Sequence, residues 1–188
     1  EQHRGFMSFL GGDINLAEER INNSIVAMTE LGDRAGLGWA FGVLAFIHFY
    51  NRRFPEAEAL ATQVRAEARE RGDEWAESIM MSLLANLRLW SGQIEAAAAL
   101  AEQALNKFKR LGDGFGLRQA LTVLGRTQVA VRDPNVSRTT EALLAQTGDL
   151  DQPAFSLLAA AGIAMHAGDG KTTVLLAEEA VRRLNETF

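Results

Sequence analysis

Few residues in this chain have types and spacing suited to chemistry. Gly168-Asp169-Gly170-Lys171-Thr172-Thr173 contains the Gly-Lys-Thr that closes a phosphate-binding loop, in which backbone N–H groups cradle phosphate and the lysine reaches it. The full loop needs a second glycine five residues before Gly170, and that position is Met165. It also needs a preceding strand, whereas Leu157 to Ala167 has the apolar density of a helix. The segment therefore reads as a turn between two helices, with Lys171 in a first helical turn. Gly112-Asp113-Gly114-Phe115-Gly116 follows a helical stretch and lacks the dinucleotide spacing. His3, His48 and His166 are isolated from one another in sequence, with no pair at i, i+4, so no metal site is expected. There is no cysteine, which excludes a thiolate nucleophile, a disulfide and cysteine-ligated metal. No serine stands in a Gly-x-Ser-x-Gly setting. Asn22-Asn23-Ser24, Asn135-Val136-Ser137 and Asn185-Glu186-Thr187 match the glycosylation pattern, but no secretory segment accompanies them. The expectation is a chain with no catalytic residue and no cofactor, hence not an enzyme.

Composition narrows the partners. The chain has 188 residues, 24 acidic against 19 basic, for a net charge of −5 with the signs interspersed. A nucleic-acid surface wants clustered basic residues, so direct nucleic-acid contact is not expected. The apolar fraction of 47% is ample for a core. The longest apolar run, Trp39 to Tyr50, is broken by Gly42 and His48 and is too short to span a bilayer. No membrane contact and a cytoplasmic location are expected. The chain opens on Glu1-Gln2-His3, which reads as a fragment of a longer protein.

The elements that must position any site follow from a recurring pair. Leu31 to Leu44 and Leu111 to Leu124 share eight of fourteen residues, both opening Leu-Gly-Asp. Arg71-Gly72-Asp73 stands midway, and Gly148-Asp149 follows after 36 residues rather than 40. Glycine tolerates the left-handed conformation that ends a helix, and aspartate caps the start of the next. A period near forty with helical apolar spacing signals a helical-repeat array. The repeats run approximately 1–31 (partial), 32–71, 72–111, 112–147 and 148–188, forming a single domain. Each is two helices joined by a polar turn such as Asn51-Arg52-Arg53, Ser91-Gly92-Gln93 or Arg132-Asp133-Pro134-Asn135. The second helix of the fourth repeat, from Val136 to about Gln146, is short. Ala17, Ala57 and Ala97 form one column spaced by forty; Ala61 and Ala101 form another, and Ala45, Ala85 and Gly125 a third. Small residues there let helices approach to roughly 8–10 Å between axes.

Ala85, Gly92, Ile94, Ala97, Ala101 and Ala104 together resemble a tetratricopeptide (TPR) repeat. The longer period and the Leu-Gly-Asp junction resemble the TPR-like region of large bacterial LuxR-type and maltose-regulator-like transcriptional regulators. In these, a P-loop ATPase, a helical-repeat region and often a helix-turn-helix share one chain. The resemblance implies an all-α, right-handed superhelical solenoid whose first helices line a concave face. That face would receive Trp39, Phe46, Tyr50, Asn86, Trp90, Gln119, Arg126 and His166. Aromatic anchors with amides and an arginine suit a peptide or small ligand. For Trp39, Phe46 and Trp90, a place in the core between repeats is an equal alternative. The resemblance implies a non-enzymatic interaction module, the sensor or regulatory segment of a transcriptional regulator, with a protein, a peptide or a small-molecule effector as partner. A free-standing scaffold for a partner protein is the second reading. Homodimers through the apolar faces of terminal hairpins are also expected.

Overall fold

The computed structural model describes residues 1–145 and 153–187, and among these there are ten α-helices and no strand. They are α1 (Gln2–Leu10), α2 (Ile14–Leu31), α3 (Arg34–Tyr50), α4 (Phe54–Arg71), α5 (Glu74–Trp90), α6 (Ile94–Leu111), α7 (Gly114–Ala130), α8 (Val136–Leu144), α9 (Pro153–His166) and α10 (Gly170–Thr187). Odd-numbered helices are the first of each hairpin and even-numbered ones the second. The fold is all-α, a succession of TPR-like helical hairpins. The short second helix of the fourth repeat is α8, nine residues against eighteen in α2, α4 and α6. Gly148-Asp149 lies outside the described residues.

The Gly-Asp pair works as local chemistry requires. Gly32, Gly72 and Gly112 end α2, α4 and α6 at φ of 67°, 71° and 67°, a region closed to most side chains. The following aspartates then cap the next helix. Asp33 accepts from the Gly36 N–H at 2.9 Å, Asp73 from Ala76 at 2.9 Å and Asp113 from Gly116 at 2.6 Å. Asp13 and Asp169 do the same within their hairpins, accepting from Leu16 and Thr172. Each such cap is worth about 1 kcal/mol. The Thr172 side chain and backbone hold the Asp169 carboxyl below its ordinary value. Gly168 to Lys171 is thus a helix start built like the others.

Within hairpins the tight turn has a second left-handed position. Glycine fills it at Gly12, Gly92 and Gly168, with φ of 83°, 76° and 77°, but Arg52 and Arg132 occupy it at 58° and 56°. An L-residue there costs roughly 1–2 kcal/mol, part of which glycine gives back as chain entropy. Both arginines are exposed. Arg132→Gly is therefore expected to raise stability by about 0.5–1 kcal/mol, read as a higher urea midpoint. An unchanged or lower midpoint would mean that the arginine side chain compensates for its backbone.

The chain divides into two compact units, Glu1–Leu87 and Arg88–Phe188, with the boundary inside α5. In the first unit α2 packs on α1 and α3, and α3 on α4. Its core is Ala17, Ile21, Ala40, Val43, Leu44 and Ile47, closed over by half-buried residues that include Phe6, Phe9, Met28, Trp39 and Leu60. Two ion pairs tie the hairpins. Glu18 on α2 holds Arg53 at 2.6 Å in the turn after α3, and Arg69 on α4 reaches the buried Glu77 carboxylate on α5 at 2.7 Å. His48, beside the first pair, is held below its ordinary pKa by burial and then by the Arg53 charge, with Glu18 and Glu56 opposing.

In the second unit α7 is central, packing on α6, α8 and α9, and α9 carries α10. Leu157, Leu176 and Ala180 close the last hairpin. The small-residue columns are buried: Ala17, Ala45, Ala57, Ala61, Ala85, Ala97 and Ala101 show no exposed surface. A Cβ added at Gly125 would stand 2.5 Å from Ile163 Cδ1, so the Ile163 side chain on α9 packs over Gly125 of α7 and would have to shift for alanine.

Candidate interaction surface

In the first unit, Trp39, Phe46 and Tyr50 sit at i, i+7 and i+11 on α3 and share one helical face. That face meets two phenylalanines of α1. The Phe6 ring stands edge-on to Trp39 with centroids 5.3 Å apart. Phe9 lies 6.4 Å from Phe46 and 5.6 Å from Tyr50. Phe49 closes on Tyr50 from the other side at 5.6 Å. Edge-on and tilted pairs at these separations are favourable arrangements of aromatic quadrupoles. Trp39 and Phe46 are half-buried, so they belong both to the joint between hairpins and to its rim. Tyr50 is 61% exposed. Next to Trp39 an open depression of about 440 Å³ is lined by Gln2, His3, Phe6, Gly36 and Trp39. The Gln2 side-chain amide donates to the Gly36 carbonyl at 3.2 Å across its floor.

Asn86, also in the first unit, is buried, and its amide donates to the Ser82 carbonyl one turn back at 3.1 Å. That bond occupies one N–H of the amide within α5. In the second unit Trp90 is exposed at the end of α5. Gln119 and Arg126 are half-buried on α7, and His166 is exposed at the end of α9. Arg126 lies across Gly162, where an added Cβ would stand 2.8 Å from its guanidinium. The structure thus gathers Trp39, Phe46 and Tyr50 into one row and describes the others as separate positions on α5, α7 and α9.

Phe6 and Phe9 complete this row without standing among the sequence-predicted residues. The signal for Phe6 is present in the repeat register. Phe6, Phe46, Asn86 and Arg126 are spaced by forty, and Gly162 follows after 36. Leu10, Tyr50 and Trp90 form a second such column. Chemically the row can bury apolar or amide groups. Among the described residues, no three histidine, aspartate or glutamate side chains gather to hold a metal ion. No helix among them is long and apolar enough to cross a membrane.

Fold and surface together define a helical-hairpin repeat protein with an aromatic face on its first helices. No protein-family model matches the chain, and no curated protein does. Among solved structures, it is similar to BtubC (BKLC) from P. vanneervenii, with a TM-score of 0.64 and 19% sequence identity over 97% of this chain and 78% of that one. At that identity the likeness is one of fold.

Proposed function

We propose that this chain is a non-enzymatic interaction module, the sensor or regulatory segment of a cytoplasmic bacterial transcriptional regulator of the LuxR or maltose-regulator type. The observation that carries an interaction role is the aromatic row of the first unit, whose outermost ring, Tyr50, is largely exposed. An exposed tyrosine beside half-buried aromatics is the composition of a binding hot spot, with apolar area at low entropic cost. The TPR-like pattern and the Leu-Gly-Asp junctions support the regulator reading. The mechanism would be mechanical. Helices of each unit pack on their neighbours, so a peptide or small effector that favours one joint angle would shift the population of arrangements.

Two measurements test this. A random-peptide display library selected on the purified chain should yield binders, and Tyr50→Ala should weaken them at least about tenfold while keeping the fold, at a stability loss of about 0.5–1.5 kcal/mol for its ring contacts to Phe9 and Phe49. A library without binders, or binders indifferent to Tyr50, would remove this surface as the site. The genomic reading frame around the segment tests the regulator: a flanking P-loop ATPase and helix-turn-helix support it, and their absence leaves a free-standing scaffold.

A further inference from the structure

One position near the end of the first helix is polar in four successive hairpins. Ser8, His48, Arg88 and Gln128 are spaced by forty. The backbone carbonyl of each accepts from across the hairpin turn: the N–H groups of Asp13, Arg53, Gln93 and Asp133 donate to Ser8, His48, Arg88 and Gln128 at 3.0, 2.8, 2.8 and 2.8 Å. Of these four side chains, only histidine changes its charge between about pH 5 and 8.

His48 is half-buried, and its Nδ1 is buried without a hydrogen-bond partner. Three charges face it: Arg53 from the turn, Glu18 from α2 and Glu56 from α4. Glu56 is exposed. Glu18 is the carboxylate inside the joint, and its Oε2 accepts from Arg53 at 2.6 Å and from Asn51 at 3.3 Å. The other neighbours of α3 carry their charges elsewhere. On α5, whose Met80 faces Gly42, Glu74 and Glu77 lie in the first turn. On α1, His3 stands beside Gly36 and Trp39, at the opposite end of α3, and Arg4 follows it.

With the proton on Nε2, neutral His48 leaves one buried lone pair unsatisfied. A second proton, on Nδ1, makes a buried cationic N–H with no acceptor, beside the Arg53 charge. A buried charged donor without a partner costs more than a buried neutral acceptor. Satisfying it means drawing Glu18 away from Arg53 or admitting water between the helices, and either loosens the tie from α2 to the α3–α4 turn.

We propose that His48 is a proton-operated latch: neutral, it lets the joint between the first two hairpins close, and protonated, it opens that joint. The latch is independent of what the aromatic row binds. Its direction follows from the local fields. Burial first, and the Arg53 charge second, hold His48 below the ordinary value of 6.5, with Glu18 and Glu56 opposing. The open chain therefore takes up the proton before the closed one. The stability that neutral His48 allows is complete above about pH 6.5, and it is lost as the pH falls from there to the value in the closed joint.

Hydrogen exchange of the 188-residue chain at about pH 7.5 and about pH 5.5, corrected for intrinsic rates, tests this. Opening of the α2–α4 amides should rise at least about threefold on acidification, measured against the α6–α7 amides of the second unit. About tenfold is the ceiling for one histidine that titrates at 6.5 when open. His48→Gln, which installs the side chain that α7 carries at this position, should lose the response. Glu18→Gln removes a charge that favours the cation and should enlarge it. Arg53→Gln removes a charge that opposes the cation and should shrink it. The imidazole signal that disappears in His48→Gln should titrate in the parent with a midpoint below 6.5. A midpoint at or above 6.5, a response that survives His48→Gln, or one equally large in α6–α7 would each overturn the latch. Should His48→Gln fail to fold, Glu18→Gln and Arg53→Gln decide, and shifts of one sign, or none, would overturn it.

Discussion

Replacing Phe108 by alanine is expected to lower the unfolding free energy by about 3–5 kcal/mol. Phe108 is fully buried near the end of α6, and its ring packs against Gly116 at the start of α7. A Cβ at Gly116 would overlap the ring itself, not a movable side-chain tip. Gly116→Ala is therefore expected to cost about 1–3 kcal/mol as overpacking. The same joint recurs with other sizes. Met28 faces Gly36, where an added Cβ would meet its sulfur at 2.8 Å. The register puts Ala68 and Ala76 at the equivalent positions between α4 and α5. A large residue on the second helix goes with glycine on the next first helix, and alanine goes with alanine. The double variant Phe108→Ala, Gly116→Ala copies the Ala68 and Ala76 arrangement. It should lose less than the sum of the single losses by about 1 kcal/mol or more, measured in a urea double-mutant cycle. Additive losses would mean that ring and glycine do not share one joint.

The same joint shows why some of the molecule was legible from the sequence and some was not. The Gly-Asp punctuation was legible because it rests on backbone physics. Only glycine is at ease at the positive φ of Gly32, Gly72 and Gly112, and the aspartate caps within three residues of itself. The turn glycines were legible only in part. Arg52 and Arg132 take the same backbone conformation without the residue that advertises it. The pairing of Phe108 with Gly116 is eight residues long in sequence but spans two helices, so its size rule emerges only when repeats are stacked in register. The candidate surface was half legible. Periodicity placed Trp39, Phe46 and Tyr50 on a first helix, and their shared face follows from that. What they touch did not follow, because Phe6 and Phe9 come from α1, whose nine residues offered too little periodicity to fix a facing direction. Asn86 shows the reverse case. Spacing puts it on a first helix, and its side chain donates within that helix, a choice among local acceptors that spacing cannot settle.

A column of alanines carries the second large effect, and Ala57→Leu is expected to cost about 1–3 kcal/mol. Ala57 lies in the first turns of α4, fully buried, in the column that holds Ala17 on α2 and Ala97 on α6. Its helix packs on α3, where Ala40 and Ala45 are also fully buried. Small residues on both sides allow a close crossing of the two axes. A leucine adds three carbons where the interior is already close-packed. The chain can accommodate them only by moving α4 off α3 or by forcing off-rotamer side chains. Separating α4 from α3 would in turn stretch the Arg53–Glu18 pair, whose arginine lies in the turn between them. The control is Ala59→Leu, two residues along the same helix but exposed. Leucine and alanine are both strong helix formers, so this change should stay within about 0.5 kcal/mol. Thermal and urea melts of the two variants separate packing from propensity. If Ala57→Leu melts with the parent, the alanine column is not what sets the distance between hairpin helices. If Ala59→Leu falls with it, α4 is buried on a face that the structure leaves open to water.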